Sequence, residues 1–210
     1  MPSDIKQSDI DSKTDPSVAR QLDNDASAEE KFKDFYAIAD KLKIGLLSTY
    51  RQGTGPVTRS MAVSKRSGPD FLFLANAHST KFEDLKANPE VNIAFQDSSS
   101  QSWVSVTGKA TTTSNSDPRI AKIWSRMASI WFGDVGDGVH NGTADDPRMS
   151  LIEVKPNYIS YYKAEAGALG FLKEAVGANL TGGVANTGKL REMNESDISA
   201  ARARDGDLSS

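Results

Sequence analysis

The sequence predicts a mainly β protein of the α+β class, in which a small antiparallel barrel carries helices on its outside. Short β-rich runs recur through the middle of the chain, and clusters of Gly, Pro, Asp and Ser separate them. No regular alternation of strands and helices indicates a parallel sheet. The predicted strands are Ile44–Tyr50, Pro56–Ser64, Asp70–Ala75, Val91–Gln96, Trp103–Thr112, Met149–Lys155 and Tyr158–Lys163.

Helices are predicted where capping patterns precede apolar residues at helical spacing. Ser27 opens a capping-box pattern, and the pair Asp117-Pro118 supplies an N-cap and a first-turn proline to an apolar face that continues to Trp131. The predicted helices cover residues 27–42, 79–88, 117–131 and 195–204.

The two ends of the chain differ in composition from its middle. Residues 1–26 contain few large aliphatic side chains, so we expect a disordered leader that cannot bury enough surface to offset its ordering entropy. Residues 27–164 form the predicted domain. Residues 165–210 are rich in Gly and Ala, and we expect a tail with one short helix there.

Composition excludes several classes of function. The chain has no Cys and two His among its 210 residues, which excludes disulfides and zinc–thiolate sites and leaves little material for a histidine metal site; we expect no metal. Its 28 acidic and 25 basic residues give no electrostatic reason to expect nucleic acid or an anionic membrane. The N-terminus has no apolar signal segment and no window reaches the length of a membrane span, so we expect a cytoplasmic protein.

Arg59 is the first residue that indicates chemistry. Strict alternation places it on one strand face with Val57, Met61 and Val63, where a charge is costly without a partner. Two interpretations remain open. Arg59 pairs with a carboxylate at the edge of the core or lies on a face that is only half buried, or its guanidinium binds phosphate oxygens of a ligand.

The segment Ser79-Thr80-Lys81 is the second candidate. Two hydroxyl groups and a lysine at the start of a predicted helix are typical of a phosphate-binding turn. The same letters also match a capping box that ends at Glu83, and capping alone is the commoner use of such residues. The segment lies about twenty residues from Arg59, with one strand between them, and this spacing favours convergence on one anion.

Aromatic residues form a third group with two possible roles. Trp103 begins a strand, Trp131 stands before a glycine-rich loop, and Tyr161 and Tyr162 are expected to face opposite sides of the last strand. Such side chains line a planar ligand in some proteins and close a barrel in others, whereas Trp124 is expected in the core.

In this order, the motifs resemble those of the pyridoxamine 5′-phosphate oxidase-like split-barrel flavoproteins. The resemblance is strongest for the general stress protein branch and its fungal blue-light-induced relatives, and it covers about Phe35 to Lys163. The matching segments are Arg59-Ser-Met61, Phe71–Phe95 with its Asn76, Ser79 and Lys81, Trp124 to Phe132, Asp146-Pro147-Arg148 and Ile159–Tyr162.

The resemblance implies a split barrel that binds FMN at the interface of a homodimer. It implies that Arg59, Ser79 and Lys81 bind the phosphate, and that Thr80 is a further cofactor-binding residue. Met61, beside Ser60, would offer backbone to the flavin ring, which would lie against the residues Ala75, Asn76, Trp103 and Trp131.

Two departures narrow the implied function. Ala75 stands where the family has a threonine, and the chain lacks the C-terminal Arg-x-His segment with which true pyridoxamine-phosphate oxidases hold their substrate. We therefore expect an FMN-dependent oxidoreductase of another kind, with NADH or NADPH as a candidate electron donor. The alternatives are a flavin-binding protein without turnover, and the same fold used for haem or deazaflavin.

Overall fold

The computed structural model of the protein describes residue 11 and residues 13–207. Its strands are β1 Ile44–Arg51, β2 Gly55–Ala62, β3 Lys65–Ser67, β4 Asp70–Asn76, β5 Glu90–Gln96, β6 Trp103–Thr113, β7 Met149–Ala164 and β8 Gly188–Met193. Its helices are α1 Pro16–Gln21, α2 Ala28–Leu42, α3 Lys81–Ala87, α4 Pro118–Ile123, α5 Arg126–Ser129, α6 Ala168–Thr181 and α7 Glu195–Asp205.

All eight strands belong to one antiparallel sheet. Their order is β2-β1-β5-β6-β7-β4-β3, and β8 pairs with β7 beside this path. Within the described residues β2 and β3 stand at the two ends of the order, so the ladder does not close between them. The predicted fold class, a mainly antiparallel barrel with flanking helices, is confirmed.

The sheet has a buried inner face and a more polar outer face. Side chains alternate along the strands, so that Leu47, Ile93 and Val106 point into the core while their neighbours point outward. On the inner face, α2 contributes the buried rings of Phe32 and Phe35, which lie on one side of the helix as its spacing predicts.

Strand β7 runs unbroken where the sequence predicted two strands. Its first half pairs with β4, its second half pairs with β8, and β6 pairs along both. The register with β6 shifts after Thr107, and Gly108 follows at a point where a Cβ atom would overlap the carbonyl of Lys155. This bulge lets the chain pass Pro156 and Asn157 without ending the strand.

The helix predicted from Asp117 to Trp131 is divided. Helix α4 buries Ile120 and Ile123, but Trp124 adopts an extended backbone and its indole Nε1 donates to the carbonyl of Gly142. The short α5 follows, with Met127, Ile130 and Trp131 largely exposed. The predicted apolar face of this segment is therefore wrong beyond Trp124, because that residue is held by the following loop.

A buried carboxylate closes the loop between α5 and β7. Asp146 is fully buried, accepts from the backbone N–H of Gly142 at 2.7 Å and pairs with Arg148. Arg148 in turn donates to the carbonyls of Phe132 and Gly133. The Asp-Pro-Arg motif thus holds a loop in place.

The structure differs from the prediction at both ends of the chain. Residues 1–10 and 12 lie outside the described residues, but α1 forms a helix, and Leu22 forms a parallel bridge with Leu190 of β8. Strand β8 and helix α7 pack on the main core through Met193, Ile198 and Ala201. Residues of the predicted tail therefore supply part of the same core.

Ion pairs on buried Arg191 explain why the segment around Asp23 docks. Its guanidinium, 1% exposed, pairs with Asp23 at 2.7 Å, Glu30 at 2.6 Å and Asp34 at 2.9 Å. Lys163 and Lys189 add pairs to Asp34 and Asp23, and the hydroxyl of Tyr161 contacts Arg191. We call these seven residues the Arg191 cluster; Asp23, from the predicted disordered leader, is one of its anions.

Candidate functional site

Arg59 lies on the inner side of β2, as the alternation of that strand predicts. Its side chain is 23% exposed, and Met61 on the same face packs against the main core. Its Nη1 donates to the Thr49 hydroxyl at 2.7 Å and to the Leu47 carbonyl at 3.4 Å, and its Nη2 donates to Asp84 at 3.2 Å. These three bonds use three of the five N–H groups of a guanidinium, which leaves two for a ligand.

Asp84, on α3, is the hub of the site. Its carboxylate is 4% exposed and accepts from Thr49 at 2.8 Å, from Arg59, and from both Nε and Nη2 of Arg51 at 3.0 and 3.1 Å. These donors hold the pKa of Asp84 below its usual range, with the hydrogen bonds from Arg51 as the largest cause. Arg59 therefore does pair with a carboxylate at the edge of the core, as one of the two interpretations predicted.

Lys81 brings a second type of cation to the same place. Its ammonium donates to the Ser79 hydroxyl at 2.6 Å, and within the described part of the chain it forms no ion pair. Burial lowers the pKa of Lys81, and the nearby positive charge of Arg59 lowers it further. Arg59 and Lys81 are therefore close enough for their positive charges to repel, and only Arg59 has a described carboxylate as partner.

The turn before α3 does not use the predicted capping box. Thr80 is the N-cap residue, but its side chain makes no capping bond, and its hydroxyl accepts instead from Arg51 Nη2 at 3.1 Å. The Ser79 hydroxyl donates to the Asn76 carbonyl at 2.8 Å, and the Asn76 side chain accepts from the backbone of His78. These bonds order the turn between β4 and Lys81. We call Thr49, Arg51, Arg59, Lys81 and Asp84 the Asp84 cluster.

The remaining predicted residues lie in different surroundings. Ala75 is buried in β4 opposite Ser150, and Ser60 is exposed on the outer face of β2 opposite Leu46. Trp103 lies on the outer face of β6 opposite Tyr162, three strands along from Arg59 and on the other side of the sheet. Trp131 follows α5 and is 77% exposed. The fold thus brings together Arg59, Ser79, Thr80 and Lys81, and does not bring Trp103 to them within one chain.

Sequence reasoning missed Thr49, Arg51 and Asp84. Thr49 and Arg51 stand on β1, beside β2, and Asp84 is one helical turn after Thr80, which places it over the same strand end. These side chains meet only because β1 pairs with β2 and α3 packs over the end of β1. A single sequence therefore gives little indication that they belong to the site.

Comparison with known proteins shows the family. A family described as pyridoxamine 5′-phosphate oxidase like matches residues 29–186. The chain belongs to this family. Protein bli-3 of Neurospora crassa is 31% identical over 192 residues, which cover 90% of this chain and 91% of that protein.

Solved structures of lower identity share the fold. A protein related to general stress protein 26, from Clostridium acetobutylicum, has a TM-score of 0.57 at 16% identity and covers 81% of this chain and 98% of its own. A pyridoxamine 5′-phosphate oxidase-related, FMN binding protein of Nostoc punctiforme has a TM-score of 0.51 at 14% identity, covering 66% and 85%. At these identities the likeness shows the fold and no residue's role.

Nowhere in residues 13–207 do three His, Asp or Glu side chains gather in a way that could hold a metal ion. No helix in this range is long and apolar enough to cross a membrane.

Proposed function

We propose that the protein binds FMN and that the Asp84 cluster holds its phosphate. One observation carries this proposal. Arg51 and Arg59 share the single carboxylate of Asp84, and the nearby Lys81 pairs with no described carboxylate, so these four side chains leave a net charge of two positive units. A phosphate monoester carries close to two negative charges near neutral pH, and the unused N–H groups of Arg59 and Lys81 suit its oxygens. The exposed Glu83 offsets part of this charge from outside the cluster.

The Nostoc punctiforme protein of the same fold is an FMN binding protein, which supports FMN as the ligand proposed here. The residues of this chain fit that ligand. Arg59 and Lys81 would bind phosphate oxygens directly, with the Ser79 and Thr80 hydroxyls beside them. Flavins supply hydride and electron transfer, while the protein supplies binding, orientation and electrostatics. The role of Ala75, Asn76 and the backbone at Met61 toward the flavin ring remains part of this proposal.

The proposed assembly is a homodimer formed through the outer face of the sheet. Strand β1 exposes Ile44, Leu46 and Tyr50 there, at 59%, 46% and 48%, and Tyr158 of β7 is 40% exposed on the same face. A two-fold dimer is the commonest way to bury such a face. Within one chain, Ser60, Trp103 and Trp131 lie away from the Asp84 cluster. In a dimer they would contact a flavin bound to the second copy, as their predicted roles require.

We propose an FMN-dependent oxidoreductase with a role in stress or light response, located in the cytoplasm. The alternative is a protein that binds flavin without turnover. Visible absorption of the purified protein tests the ligand. Flavin absorption is expected, and a haem Soret band or no bound chromophore after FMN addition would contradict the proposal. If NADH or NADPH bleaches the flavin absorption and the flavin is then reoxidised with turnover, the protein is an oxidoreductase and not only a flavin-binding protein.

Light scattering tests the assembly. We expect a mass close to twice the 22.6 kDa of one chain. A monomer that holds FMN stoichiometrically would overturn the dimer and leave the phosphate site standing.

A further inference from the structure

We propose that Asp84 is a positioning residue, which fixes the Arg59 and Arg51 guanidinium groups so that both face one phosphate monoester. This inference rests on the proposed function, because it names what holds the phosphate ligands in place. Asp84 is not among the predicted site residues. It carries the same sign of charge as a phosphate, so it is not expected to bind the phosphate itself.

The geometry supports this role. Asp84 Oδ2 accepts from Thr49, Arg51 and Arg59, and Thr49 at the same time accepts from Arg59 Nη1. Arg59, Thr49 and Asp84 therefore form a closed triangle of hydrogen bonds, in which the orientation of Arg59 is set from two sides. Thr49 is 2% exposed and Asp84 is 4% exposed in its side chain, so water does not compete for these bonds.

Arg51 is held by the other side of the same carboxylate. Its Nε and Nη2 bind the two oxygens of Asp84, and Nη2 also binds the Thr80 hydroxyl. Its side chain is 38% exposed, which places it at the rim of the cluster. An arginine side chain has many rotamers, and a bidentate contact of this kind removes most of them before a ligand arrives.

The sign of the expected effect distinguishes positioning from a role as counter-charge. Asp84→Asn removes one negative charge, so the net charge of the cluster rises from two positive units to three. If Asp84 serves only to balance charge, FMN binds more tightly to this variant. If Asp84 positions the arginines, FMN binds more weakly despite the added positive charge, because the Asn amide cannot accept all the donated bonds.

The experiment measures dissociation constants for FMN and for riboflavin, which lacks the phosphate, by quenching of flavin fluorescence. For Asp84→Asn we expect about a tenfold loss for FMN and about a twofold change at most for riboflavin. Glu83→Gln is the matched control, because it removes the same charge from the neighbouring exposed residue of α3. We expect it to bind FMN as tightly as the unchanged protein or more tightly.

Thr49→Val tests the same positioning role without any change in charge. It has nearly the same shape, and it removes the hydroxyl between Arg59 and Asp84. We expect FMN affinity to fall about fivefold with riboflavin unchanged, and this variant decides the matter if Asp84→Asn does not fold.

Two failures are distinguishable. If the unchanged protein binds FMN and riboflavin equally, the phosphate site of the proposed function is wrong. If the unchanged protein prefers FMN, and Asp84→Asn or Thr49→Val keeps or increases that preference, the positioning role of Asp84 is overturned while the proposed function stands.

Discussion

The Arg191 cluster and the Asp84 cluster are both built on buried charges, but their charges balance differently. Around Arg191, three cations meet three carboxylates, and the guanidinium is enclosed on every side by side chains of this chain. Around Asp84, two arginines share one carboxylate, Lys81 pairs with no described carboxylate, and Arg59 and Lys81 keep unused donors. The first arrangement is complete without a ligand, whereas the second is not.

This difference teaches how to separate a structural ion network from a binding site. Both clusters contain a buried arginine and a carboxylate, so burial alone does not distinguish them. The pKa shifts do, when they are compared by sign. Burial opposes the charged form of both cations, but the Tyr161 hydroxyl and the carboxylates around Arg191 outweigh it and raise the pKa of Arg191, whereas burial and then the charge of Arg59 both lower the pKa of Lys81. A cation destabilised by another cation indicates where an anion binds.

The largest expected effect is on stability. Arg191→Ala removes the shared partner of three carboxylates, and we expect the free energy of unfolding to fall by roughly 3–5 kcal/mol in urea titrations. Arg126→Ala, at an exposed position of α5, is the control and is expected to be neutral within about 0.5 kcal/mol. The ratio of FMN to riboflavin affinity should not change. A stability loss no larger than that of the control would show that the Arg191 cluster is not a structural network.

Arg59→Ala breaks the other cluster. We expect FMN binding to weaken by roughly 2–4 kcal/mol, the scale for truncating one member of a buried charge pair. Riboflavin should bind as before, because Asp84 keeps its bonds to Arg51 and Thr49 and the local fold remains. Fluorescence titration with both ligands measures this, and an equal loss for both would show that Arg59 supports the fold instead of the phosphate.

The sequence predicts Arg59 because its charge violates the apolar pattern of its strand face, and it predicts Lys81 because two hydroxyl residues and a lysine at a helix start are typical of a phosphate-binding turn. A charge on an apolar strand face and a lysine after two hydroxyl residues are both visible without a structure. Asp84 and Arg51 violate nothing, since a carboxylate on a helix and an arginine at a strand end are ordinary, and only their tertiary contact gives them meaning.

The fold shows the same division between local and tertiary information. Helix α2 and the strands with clear alternation are predicted to within a residue or two at most ends. Strand β8 and the docking of residues 16–24 escape prediction, because the partner of Asp23 is Arg191, far along the chain. Where long-range ion pairs order a polar segment, composition alone predicts disorder.

Lys81→Ala is expected to have a smaller effect than Arg59→Ala. FMN binding should weaken by roughly 1–2 kcal/mol, since Arg59 and the hydroxyl groups of the turn remain. The variant also removes a destabilised charge, so its free energy of unfolding without ligand should stay the same or rise. Titration with FMN and riboflavin, together with urea denaturation, measures both quantities. A loss for FMN larger than that of Arg59→Ala would reverse the order of the two cations.

Deletion of residues 1–26 tests what the docked residues 16–24 contribute. It removes Asp23, but Glu30, Asp34 and Tyr161 still contact Arg191. Asp23 is about a quarter exposed, and solvent screens its pair, so we expect a loss of about 1 kcal/mol in stability and no change in flavin affinity. Asp23→Asn in the full chain shows how much of this loss is due to the ion pair. If deletion abolishes flavin binding or dimerisation, the leader contributes to the site itself.

The pH dependence of FMN affinity is the smallest and most specific test. The second pKa of a phosphate ester is about 6, so the FMN phosphate changes from a dianion to a monoanion as the pH drops through this value. We expect affinity to fall by roughly fivefold between pH 7.5 and 5, the scale of one weakened charge-assisted hydrogen bond. The pKa of Asp84 is lowered, so its carboxylate stays charged throughout this range and does not contribute to the change.

At alkaline pH the sign reverses. Without ligand, the pKa of Lys81 is lowered from 10.5, and a bound dianion favours the charged ammonium and raises that pKa again. Binding therefore takes up protons on this limb, and FMN affinity should fall as the pH rises through the ligand-free pKa of Lys81. Riboflavin gives the baseline for both limbs, and Lys81→Ala should lose the alkaline limb while it keeps the acidic one. An alkaline limb that persists in Lys81→Ala would assign the proton to another group and remove Lys81 from the phosphate site.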